Sequence, residues 1–89
     1  MSKCAYRRKK DIIFRKEGEE AILFNPDTSG IIVINSTGCF IWPLFDGKRT
    51  KEDILREMAK EFDVEPATAQ KDLDNFIKEL EKQNFIERL

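Results

Sequence analysis

Residues 31–54 read IIVINSTGCFIWPLFDGKRTKEDI, and in this order they spell a strand, a polar turn, a short apolar helix, a second turn and a capped helix. Ile31 to Ile34 is a continuous β-branched run, which a strand tolerates when both of its faces meet apolar neighbours. Ser36 is placed to cap the next element, its hydroxyl accepting from an otherwise orphaned amide. Phe40, Ile41, Leu44 and Phe45 then fall on one side at helical spacing, with Trp42 elsewhere. Pro43 inside this segment removes a hydrogen bond and crowds the preceding turn, so the helix is expected to be short, kinked or partly 3₁₀. Asp46-Gly47 closes it. Thr50-Lys51-Glu52-Asp53 has the form of a capping box, with Asp53 where Glu or Gln is usual.

Working outward, Ile12 to Phe14 and Ala21 to Phe24 read as two earlier strands around a Gly18 turn, and Asn25-Pro26-Asp27-Thr28-Ser29-Gly30 is a cluster of turn formers leading into the third. Downstream, Ile54, Leu55, Met58, Ala59 and Phe62 make the apolar stripe of a second helix. Pro66 suits the first position of a third helix, where its missing donor costs nothing. Leu73, Phe76, Ile77 and Leu80 follow at i, i+3, i+4 and i+7, Asn84 fits a left-handed position after the helix end, and Phe85 and Ile86 return to the core. The expected fold is α+β, a three-stranded antiparallel β-meander followed by a three-helix bundle of the winged helix-turn-helix type. Residues 1–10 are expected to be a basic, frayed N-terminal arm, and residues 11–89 a single domain.

Composition narrows the function. A chain of 89 residues buries only ~60–65% of its unfolded surface, which leaves little room for a deep substrate pocket. No window approaches the ~20 apolar residues of a membrane-spanning helix, and MSKCAYRRKK lacks the apolar core of a secretory signal, so a cytoplasmic location is expected. There are two cysteines and no histidine. A structural zinc site would therefore need carboxylates for most of its ligands, against the metal's usual choice, and the thiols are expected to stay reduced. Without histidine the commonest general base is missing, and no paired nucleophile or phosphate-cradling glycine loop takes its place. Asp72 and Asp74, two apart, do not face each other and read as a solvated helix face. Neither an enzyme nor a cofactor is expected.

Two binding functions remain. A winged helix could enter a DNA groove with its third helix, but Glu65, Asp72, Asp74, Glu79 and Glu81 outnumber Lys71, Lys78 and Lys82 there, and phosphate contacts need cations. Only Lys3, Arg7, Arg8, Lys9 and Lys10 offer a basic patch. A third strand at the edge of a meander, by contrast, exposes unpaired main-chain groups that capture an extended peptide by strand addition. Cover by the N-terminal arm or by a second copy of the chain, a homodimer, is the alternative fate of that edge.

The strand ending in Asn35, the Ser36-Thr37-Gly38 turn, the Ile41-Trp42 pair, Asp46-Gly47 followed by Thr50, and Asp72 ahead of Phe76-Ile77 and Leu80 together resemble the PqqD-like family. Its members, also called RiPP recognition elements, bind the leader of a ribosomally made precursor peptide and present it to a modifying enzyme, often a radical SAM enzyme. The resemblance runs from Ile12 to Ile86, departing at Pro43, where helix formers are more usual, and at Asn84, where glycine commonly stands. It implies a non-catalytic peptide chaperone whose leader peptide adds to the third strand and lies against the third helix. The implied site is Ile31, Ile32, Val33, Ile34 and Asn35 on the strand, with Lys71, Asp72, Asn75, Phe76, Lys78 and Glu79 on or beside the groove face of the helix. A winged-helix DNA-binding regulator is the competing reading; the preferred one expects no nucleic acid and no membrane partner.

Overall fold

The computed structural model describes residues 5–89, which form an α+β fold of two antiparallel sheets and three helices. In chain order these are β1 (Ala5–Arg8), β2 (Ile13–Glu17), β3 (Glu20–Asn25), β4 (Gly30–Ile34), α1 (Ser36–Ile41), β5 (Asp46–Thr50), α2 (Lys51–Glu61), α3 (Pro66–Lys82) and β6 (Ile86–Arg88). A 3₁₀ turn, Trp42–Leu44, continues α1. Pro43 explains that change, since it cannot donate to the α-helical ladder.

One sheet is ordered β2-β3-β4, each neighbour antiparallel and joined by a short turn. Gly18, at φ +64°, opens the two-residue loop between the paired Glu17 and Glu20. Such a loop needs a positive φ at its first residue, which costs glycine nothing. Ala21, Leu23 and Ile34 of this sheet are buried against the helices, while Ile13, Ile31 and Val33 point to the other side and stay exposed.

The sequence predicts one sheet; the structure has a second, ordered β5-β1-β6. Residues of the expected frayed arm are its middle strand. Tyr6 turns inward and meets Phe45 edge-on, ring centres 6.2 Å apart. The backbone of the segment is held by Arg8 N–H to Phe45 O at 3.1 Å, Lys9 N–H to Phe85 O at 2.9 Å and Leu89 N–H to Ala5 O at 2.9 Å. Arg7 pairs with Glu87 across the strands. Met1 to Cys4, and with them Lys3, lie outside the described residues. Asp46-Gly47 likewise does more than end a helix: it starts β5, the Asp46 carboxylate accepting from the amides of Lys48 at 2.9 Å and Arg49 at 3.1 Å.

Helix ends follow local chemistry. The cap of α1 is Asn35 rather than Ser36, its side-chain oxygen accepting from Gly38 N–H at 2.9 Å. Thr50 and Asp53 form the reciprocal box at α2, with bonds of 3.3 and 3.0 Å. Ile54 and Met58 are the buried residues of α2, and Ala59, expected in the stripe, is exposed. On α3, Ala69, Leu73, Ile77 and Leu80 are buried. Asn84 takes a left-handed φ of +62°, and the chain turns so that Phe85 and Ile86 pack inside.

Candidate peptide-binding edge and pocket

Among the described residues, β4 has β3 on one side and no strand on the other. The parity of its free edge follows from the β2–β3 hairpin. A two-residue loop closes on a hydrogen-bonded pair, and bonded and non-bonded pairs alternate along an antiparallel ladder. Glu17↔Glu20, Arg15↔Ile22 and Ile13↔Phe24 are therefore the bonded pairs of β2 and β3. Ala21, Leu23 and Asn25 turn their main-chain groups the other way, toward their partners Ile34, Ile32 and Gly30. What remains are the N–H and C=O groups of Ile31 and Val33, directed outward at the open edge. Their side chains are 60% and 59% exposed on the outer face, whereas Ile32 is half-buried and Ile34 buried on the inner face.

The inner face of this edge is walled by α3. A Cβ built on Gly38 would stand 2.9 Å from Ile34 Cβ and 3.3 Å from Phe76 Cζ, and one on Gly30 would stand 3.5 Å from Gln83 Oε1. Phe76 is thus level with the end of β4 and Gln83 with its start, so the helix runs antiparallel beside the strand. Past the end of β4, between α1 and α3, opens a pocket of about 390 Å³ lined by Asn35, Thr37, Gly38, Ile41, Asp72, Asn75 and Phe76. That size lies within the ~300–1,000 Å³ of small-ligand sites. Its floor is apolar, the half-buried Phe76 ring leaning on Phe45 at 6.1 Å. The rim is polar, with the Asn35 oxygen already committed to capping α1. Asp72 makes no ion pair among the described residues, which leaves its carboxylate available to a cationic group.

Of the sequence-based set the pocket brings together Asn35, Asp72, Asn75 and Phe76, whereas Ile31 to Ile34 form β4 and do not line it. Glu79 bonds Gln83 at 2.6 Å, one turn along α3 from Phe76 on the side beside β4. Lys71 is exposed and does not line the pocket. Lys78 lies on the opposite flank of α3, in a shallow depression with Tyr6, Lys51, Asp74 and Arg88. Thr37, Gly38 and Ile41 line the pocket although sequence reasoning did not select them. The signal was the run of small residues, Ser36-Thr37-Gly38, directly after an apolar strand.

Among the described residues no helix is long and apolar enough to cross a membrane and no group of acidic residues or cysteine is placed to hold a metal. Cys39 is a free, half-buried thiol. A family model described as coenzyme PQQ synthesis protein D (PqqD) matches residues 20–86. No curated protein matches by sequence. Among solved structures, the chain is similar to TbiB1 in complex with the TbiA(beta) leader peptide, with a TM-score of 0.79 and 21% identity over 91% of this chain and 94% of that one. It is also similar to the heterocyclase TruD, with a TM-score of 0.65 and 17% identity over 97% of this chain but only 12% of that one.

Proposed function

Because this chain belongs to the PqqD family, we propose that it is a RiPP recognition element, a non-catalytic module that binds the leader of a precursor peptide and presents it to a modifying enzyme such as a radical SAM maturase. The observation that carries the reading is the open edge of β4, where the main-chain groups of Ile31 and Val33 point outward beside the α1–α3 pocket. A leader running along that edge gains main-chain bonds from the strand and specificity from the pocket. In this reading Asn35, Asp72, Asn75, Phe76 and Glu79 meet its inward side chains, and Lys71 and Lys78 contact it only where it reaches past the helix. The β2–β4 meander and the helices after it then form the winged-helix-like frame that keeps strand and helix in register. The leader-bound state of the structurally similar TbiB1 supports the same assignment.

The edge parity makes the test specific. Val33→Pro deletes a donor that faces the free edge, whereas Ile32→Pro deletes one that bonds β3. Calorimetric titration with a cognate precursor leader is expected to show binding lost in a still-folded Val33→Pro protein. Ile32→Pro should lower stability first. A folded Val33→Pro protein that binds as tightly as the parent would overturn strand addition.

A further inference from the structure

We infer that the captured peptide is read on both of its faces, and that its outward side chains must be apolar beside Ile31 and Val33. The inference rests on strand addition at β4 and deepens it. In a pleated sheet, residues directly opposite one another put their side chains on the same face, close enough to touch. A strand added at this edge therefore cannot send every side chain into the pocket: alternate residues must lie on the outer face, against Ile31 and Val33.

That outer face has a distinct pattern. The register lines up Ile13, Phe24 and Ile31 in one row and Arg15, Ile22 and Val33 in the next, followed by Glu17 and Glu20. Charge is thus confined to the β2 edge and the hairpin end, where Arg15 and Glu17 pair with each other at 3.4 Å. The β4 side of both rows is β-branched and apolar. Ile31 and Val33 are also more exposed than Ile22 and Phe24 of the central strand, because no strand among the described residues flanks them on the open side. A neighbouring strand with apolar outward residues completes these rows and takes apolar area of Ile31 and Val33 out of water, whereas charged residues there stay hydrated and leave both side chains uncovered. The selected ligand is accordingly an extended peptide with apolar residues at both parities across four or more positions, turning polar where it passes Asn35.

The test uses the full 89-residue chain and a phage-displayed library of random dodecapeptides, with selected peptides then synthesised and titrated. Alternating apolar residues at both parities are expected in the selected set. Ile31→Thr/Val33→Thr keeps β-branched strand formers and both main-chain edges, and is expected to weaken binding about tenfold, roughly 1.4 kcal/mol. Ile13→Thr, on the same face but two strands away, is expected to leave affinity unchanged. Selected peptides with charged residues at the outward parity, or equal affinity for the doubly substituted chain, would overturn the inference while leaving strand addition intact. No selected peptide at all would count against the peptide-binding reading itself. A parent that sediments as a dimer and becomes a monomer on Ile13→Thr would assign the face to a second copy and sink the inference.

Discussion

Gly38 is the tightest point of the site, wedged between Ile34 and the Phe76 ring. A methyl group at this position has to displace either a strand residue or the pocket floor, and overpacking of this kind costs about 1–3 kcal/mol. Gly38→Ala should therefore lower the denaturant midpoint and also shrink the pocket; unchanged stability would mean that α1 shifts freely away from both Ile34 and Phe76. Phe76 and Leu80 allow a cleaner separation, since Phe76 is half-buried and Leu80 fully buried on the same helix. Truncating a buried leucine costs about 2–5 kcal/mol, a large share of the ~5–15 kcal/mol that holds a domain together. Phe76→Ala should reduce peptide affinity more than stability, and Leu80→Ala the reverse. Denaturant melts and calorimetric titration of both variants decide it, and equal affinity in a folded Phe76→Ala protein would remove that ring from the site.

At the scale of elements, β5 depends on the Asp46 carboxylate. The Lys48 amide, and then the Arg49 amide and guanidinium, hold its pKa below the ordinary value of 3.8. A carboxylate with a lowered folded pKa contributes stability above its unfolded pKa and loses it as pH falls through the folded one. Asp46→Asn keeps an acceptor but no charge, so it should cost about 1 kcal/mol at neutral pH, with the two stability curves converging on the acid side of 3.8. A gap that persists in acid would show a packing effect instead. The same strand shows what a sequence can and cannot declare. β2, β3, β4 and the three helices carry apolar runs, turn clusters and caps within their own residues, and were legible. β1, β5 and β6 are short and dominated by polar or charged residues, and their pairings, such as Tyr6 with Arg88, join distant parts of the chain. No local window contains that information. The site divides likewise: Phe76 declared itself at the margin of an apolar stripe, whereas Ile41 read as core and Lys78 as groove, and only the placement of α3 beside β4 fixes which flank each one meets.

As a whole the molecule is a plate, 35 × 33 × 17 Å, thin enough for two layers about 10 Å apart. Helices cover the inner face of the β2–β4 sheet and leave the outer face open. Exposed charge on the plate is mixed in sign. The exposed surface of α3 mixes Lys71, Lys78 and Lys82 with Asp72, Glu79 and Glu81, and Arg7 and Lys9 are tied to Glu87. Retention on DNA should therefore ignore sequence and fall steeply with added salt. A salt-tolerant, sequence-specific mobility shift abolished by mutating Lys71 or Lys78 would instead favour a regulator.

The central position of β1 also orders events during synthesis. Residues 13–34 contain all they need to pair with one another, so the peptide-accepting edge can form early. The other sheet can start with β1 and β5 but is completed only by residues 86–88, which lie about eighty positions after the strand they pair with, and closing so long a loop is slow. α3 packs through Leu73, Ile77 and Leu80, and its last turn is closed by Phe85, whose N–H bonds Leu80 O at 2.8 Å, so the inner wall of the groove is completed only after β4 and α2 have been made. A nascent chain would thus present a bare apolar edge before it owns the helix that makes that edge selective, and a ribosome still carrying it is where misplaced strand pairing has its opportunity.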